Sequence, residues 1–74
     1  MELIVRADCY PNGTIIPLWV TDDSGESSII SSIISVDKVF DRSGATKYIF
    51  TCESSGRRIT LYLEKNVWNG EWID

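Results

Sequence analysis

Twenty of the 74 residues are β-branched: ten isoleucines, five valines and five threonines. Alanine, leucine and methionine together contribute only seven. Branched side chains lose rotamer freedom against a helical turn but pack well on a pleated surface, so this inventory drives the chain towards strands. The length allows one domain, read as a single small β domain over residues 1–74. So small a chain must bury nearly every large apolar side chain it has, which leaves little volume for an enclosed active site.

Turn signals divide the strands. Residues 2–8 form a first strand with Leu3, Val5 and Ala7 on one face. Tyr10-Pro11-Asn12-Gly13 is the strongest turn, because proline fixes φ and Asn-Gly tolerates positive φ. Residues 14–21 follow as a second strand with Trp19 in the core, and Pro17 within it calls for an edge or a bulge. Asp22-Asp23-Ser24-Gly25-Glu26 is the next turn. Residues 27–40 read in two ways. As a helix, Ile29, Ile33, Val36 and Phe40 share a face behind a capping-box-like Asp23–Glu26. As a strand, the doubled Ile29-Ile30, Ser31-Ser32 and Ile33-Ile34 pairs call for one bulge or bend. The absence of alanine, leucine and glutamine there favours the strand, with the helix kept as the alternative.

The last third alternates cleanly. Residues 47–53 and 57–64 form a hairpin closed at Ser54-Ser55-Gly56, with Phe50 and Leu61 facing the core. Residues 66–70 read as a loop, and 71–73 as a short terminal strand. Five or six short strands with frequent turns point to an all-β fold, a small antiparallel barrel of SH3-like or related type.

The chemistry is sparse. Histidine is absent, which removes imidazole bases and ligands. Seven basic against eleven acidic residues give a net charge of −4, which works against non-specific phosphate binding. The start carries no basic n-region and no long apolar h-region, and no apolar run nears the roughly 20 residues of a spanning helix. The expectation is therefore a cytoplasmic chain with no membrane contact. In that compartment Cys9 and Cys52 are expected to be reduced and mainly buried, with a disulfide as the alternative. They lack CxxC spacing, and two thiolates alone complete no zinc site. Asp22, Asp23 and Glu26 are the densest carboxylates, yet they lack the calcium-loop spacing and read as a solvated turn. Ser43-Gly44-Ala45-Thr46-Lys47 lacks the phosphate-loop spacing, and the Asn12-Gly13-Thr14 sequon is idle without export. No catalytic residue, cofactor, metal or small-molecule substrate is expected.

Two clusters remain as binding candidates. Lys38, Arg42, Lys47, Arg57 and Arg58 gather five of the seven basic residues around Tyr48, Phe50 and Tyr62. Such a mixture suits single-stranded oligonucleotides. However, these positions spread over opposite ends of one hairpin, which weakens that reading. Trp68 and Trp72, beside Asn69 and Gly70, either cap an open end of the fold or anchor a partner.

The order of Cys9, Gly13, Ile15, Pro17, Ile30, Ile33, Val36, Tyr48, Cys52, Gly56, Arg57, Leu61, Glu64 and Trp72 resembles a pattern in small uncharacterised bacterial proteins, chiefly Gram-positive. That resemblance implies a compact β fold of unknown function and carries over no catalytic residue. The chain departs from the pattern at residues 65–70, longer than the usual tight turn. The reading is a non-catalytic protein-binding or accessory module that contacts another protein or itself, as a homodimer formed through a strand edge or the tryptophan-bearing terminus. An oligonucleotide-binding barrel and a small carboxylate-dependent enzyme stand as alternatives.

Overall fold

In the computed structural model, which describes residues 3–73, the chain is all-β. Seven strands follow in order: β1 (Ile4–Cys9), β2 (Ile15–Thr21), β3 (Ser27–Ile29), β4 (Ser32–Phe40), β5 (Thr46–Ser54), β6 (Arg57–Glu64) and β7 (Val67–Trp72). They form a three-stranded sheet, β1-β2-β3, and a four-stranded sheet, β4-β5-β6-β7, antiparallel throughout. Residues 27–40 are therefore strand rather than helix.

The expected barrel does not close. β3 has only three residues, too few to carry the first sheet along the nine-residue β4. The chain changes sheets between Ile30, whose N–H donates to the Leu18 carbonyl, and Ser31, whose N–H donates to the Glu53 carbonyl, each at 2.8 Å. On the opposite side a backbone bond from Leu3 N–H to the Trp68 carbonyl, at 3.3 Å, links the sheets.

Between the sheets lie Leu3 and Val20 from one side and Phe50, Cys52, Ile59 and Leu61 from the other. Phe50 and Leu61 occupy the core positions that alternation predicts. Trp19 does not. In β2, Arg6 pairs with Trp19 while Ala7 pairs with Pro17, so Leu18 is an extra residue. That bulge, at the proline that called for it, shifts the strand's phase by one. Val20 then faces the core, and Trp19 lies outward, 37% exposed, with the Arg6 guanidinium 5.6 Å from its ring. β4 carries a second bulge at Ile34, between Ile33 opposite Cys52 and Ser35 opposite Thr51.

Residues 66–70, expected as a loop, are mostly strand. Lys65 and Asn66 form a two-residue turn, both with positive φ (51° and 63°), and β7 begins at Val67. The turn is tight after all. Gly70 sits mid-strand for a packing reason: a Cβ there would lie 2.7 Å from Leu3 Cδ1 and 3.0 Å from the Thr60 carbonyl oxygen. Glycine lets Leu3 seat against β6 and β7.

The turns after β2 and β4 are chemical copies. Asp22 Oδ1 accepts the N–H groups of Ser24 and Glu26 and the Ser24 hydroxyl. Asp41 Oδ1 accepts the N–H groups of Ser43 and Ala45 and the Ser43 hydroxyl. Gly25 and Gly44 take the positive φ that each turn requires (86° and 85°). An Asp-x-Ser-Gly sequence at both places is the signal for this shared design.

Two predictions follow from this packing. Leu61→Ala should lower unfolding free energy by about 2–5 kcal/mol, measured by urea denaturation, because it empties a fully buried site. The serine hydroxyls, then the backbone N–H groups, hold the Asp22 and Asp41 carboxyls below their ordinary value of 3.8. Lowered folded values mean that the ionised carboxylates contribute stability above that value and lose it as pH falls through the depressed ones. The urea midpoint should therefore fall as pH drops below the ordinary value, and with a shallower slope in Asp22→Ala/Asp41→Ala.

Candidate protein interface

Alternation around β5 separates the two faces of the larger sheet. Val36, Lys38 and Phe40 of β4 lie opposite Phe50, Tyr48 and Thr46, on the face that carries the core. Ser35, Asp37 and Val39 lie opposite Thr51, Ile49 and Lys47, on the outer face. Near the β4–β5 turn the inner face has no sheet over it. Val36 is 51% exposed and Phe40 65%, and Ile34 and Val39 are nearly half exposed. An aromatic row runs from this open end into the core, with Tyr48 to Phe50 at 6.2 Å and Phe50 to Trp68 at 5.6 Å between ring centroids. The Lys38 ammonium sits 5.3 Å from the Phe40 ring and 5.7 Å from Tyr48. It is thus held against the apolar strip by two cation–π contacts.

This edge was hard to find in the sequence. Ile34, Val36, Val39 and Phe40 read as ordinary strand residues, and only Asp37-Lys38 in their midst hints at a strand that faces water.

The tryptophan cluster divides. Trp68 and Trp72 are half-buried on the inner face, packed against the core. The Arg57 guanidinium lies 4.3 Å over the Trp72 ring. Asn69 is exposed on the other face, opposite Tyr62, so the strand separates it from both indoles. The basic residues divide too. Lys38 and Arg57 share the inner face but lie opposite Tyr48 and Ser54, about 20 Å apart along β5 at roughly 3.3 Å per residue. Lys47, with its ammonium 5.0 Å from the Tyr62 ring, and Arg58, opposite Glu53, are on the outer face. Arg42 is in the β4–β5 turn. The five do not form one patch.

Asp22, expected in a solvated turn, spends an oxygen on the turn bonds described above, and Asp41 does the same after β4. A shallow depression of about 460 Å³ on the outer face is lined by Lys47, Tyr62, Glu64, Asn69 and Glu71. Glu64 there is paired across the ladder with Lys47. Among the described residues no helix is long and apolar enough to cross a membrane.

Both cysteines are free, and Cys52 has the expected burial whereas Cys9 does not. Cys52 is fully buried, and burial pushes its thiol up to about 11. Cys9 is exposed, because the strand pair that carries it runs out beyond the core at the β1–β2 turn. At pH 8 an aromatic disulfide reagent should label Cys9 within seconds to minutes and Cys52 only after denaturant is added. Immediate labelling of both would show that the core opens around Cys52.

Comparison with known proteins finds no matching family model, no matching curated protein and no matching solved structure, so the functional reading rests on this geometry.

Proposed function

We propose that this chain is a non-catalytic protein-binding module whose contact surface is the β4 edge and the open inner face beside it. One observation carries the reading. β4 presents nine residues with one side unpaired, and Ile34, Val36, Val39 and Phe40 on it remain substantially exposed. A long apolar edge invites a further strand, and native folds that leave one open protect it or use it. Accessory binding also suits the shallow depression on the outer face and turn carboxylates committed to hydrogen bonds. The acidic charge and the division of the basic residues over two faces weigh against an oligonucleotide as the ligand.

A benzophenone side chain placed at position 40 tests the proposal, since Phe40 is exposed and its replacement leaves the core intact. In cells of the source, irradiation should give adducts that map by mass spectrometry to one segment of one polypeptide. They should vanish with Val36→Asp, and the same probe at Glu71 on the outer face should give none. Nuclease-sensitive adducts, or adducts spread over many proteins, would overturn the reading.

A further inference from the structure

The hydrogen-bonding parity of β4 decides what can pair with it. Asp41 N–H donates to the Ala45 carbonyl, so Asp41 faces β5. Antiparallel alternation then turns the N–H and C=O groups of Phe40, Lys38 and Val36 towards the open edge. The bulge at Ile34 interrupts the ladder beyond them. The regular docking segment is therefore Ser35–Phe40, with Asp37 and Lys38 at its middle.

A second copy of this chain fits that segment badly. Two-fold antiparallel pairing must place one residue opposite itself. An axis at Lys38 sets two ammonium groups across from each other at a Cα spacing of about 5.5 Å, and an axis at Asp37 sets two carboxylates at about 4.5 Å. With the axis at Val39, Asp37 meets Asp41; with it at Phe40, Lys38 meets Arg42. An axis at Val36 requires Lys38 to pair with the bulged Ile34. Every regular register opposes like charges, and such pairs destabilise a ladder. Asp37 and Lys38 thus act against self-pairing without closing the edge to other strands.

We infer that β4 docks an extended segment of a different protein, antiparallel, with an acidic residue opposite Lys38, a basic residue opposite Asp37 and apolar residues opposite Val36 and Phe40. This deepens the protein-binding reading and rests on it. The acid would meet an ammonium already held in place by Phe40 and Tyr48, and the flanking apolar residues would cover the open inner face. The backbone groups of Val36, Lys38 and Phe40 would supply the ladder bonds.

The probe is a soluble peptide containing Val-Thr-Glu-Lys-Val-Thr, which from its N-terminus faces Phe40 back to Ser35. Titrated into the isotopically labelled full chain, it should shift the amides of Val36, Lys38 and Phe40. The charge-swapped peptide, Val-Thr-Lys-Glu-Val-Thr, should bind about tenfold or more weakly, since two favourable cross-strand pairs become two unfavourable ones. The double variant Asp37→Lys/Lys38→Asp should invert that preference, and methylating the peptide's glutamate nitrogen should abolish binding. Equal affinity for both peptides, shifts confined to another surface or no shifts at millimolar peptide would overturn the inference. So would a dimer in sedimentation that forms without peptide and is lost with Val36→Asp. Discrete polypeptide adducts at position 40 alongside any of these results would leave the protein-binding reading standing while this inference falls.

Discussion

The peptide step from Ile30 to Ser31 is where the two sheets become one domain. Ile30 donates to β2 and Ser31 to β5, so neighbouring residues serve different ladders and no backbone donor is orphaned at the crossing. The Ser54 hydroxyl, fully buried, donates to the Ile29 carbonyl at 2.6 Å and ties the same seam from the β5 side. With that seam fixed, Val20 is brought to face the layer formed by Phe50, Cys52, Ile59 and Leu61. The opposite seam is slighter, with the longer Leu3–Trp68 bond and the seat that Gly70 leaves for the Leu3 side chain. This asymmetry explains why the sheets face each other without merging into a closed ladder.

Much of the fold could be read from residue types because β5 and β6 follow a strict period of two, and their hairpin is closed by Ser55-Gly56 with positive φ. The places that resisted reading share one cause. A single extra residue flips every later side chain to the opposite face. Pro17 announced an irregularity in β2, yet nothing in the residue string said that Leu18 would be the inserted one, and Trp19 moved out of the core with it. Asn69-Gly70 read as a loop because glycine usually marks a turn; here it marks close approach of Leu3, a tertiary fact that local sequence does not carry. The exposure of Cys9 is equally tertiary, set by how far the β1–β2 hairpin extends past its opposing sheet.

The candidate site was less legible than the fold. Sequence reasoning looked for aromatic and basic residues close together in the chain, whereas alternation sends Trp68 and Asn69, and likewise Arg57 and Arg58, to opposite faces. What marks the β4 edge is what is missing opposite it, and a lack of cover is visible only once the two sheets are placed against each other. The Asp37-Lys38 pair was visible from the start. Its meaning depended on the hydrogen-bond parity of β4, which the turn at Asp41 sets.

The uncovered surface lies along the edge strand of the larger sheet. Val36 is half exposed although its ladder partner Phe50 is fully buried, so cover is lost across the sheet from β5 to β4. Burying a side chain of phenylalanine size is worth about 1.5–3 kcal/mol, most of which Phe40 does not realise in the isolated chain. The Lys38 ammonium over its ring offsets about 0.5–1 kcal/mol of that at an exposed site. The lysine therefore has two effects at once: it makes the open strip tolerable in water, and it fixes a positive charge within the regular Ser35–Phe40 stretch of the edge. Attraction along the strip is apolar and indifferent to identity. In the proposed docking, discrimination would fall to Asp37 and Lys38, which oppose a second copy of the chain.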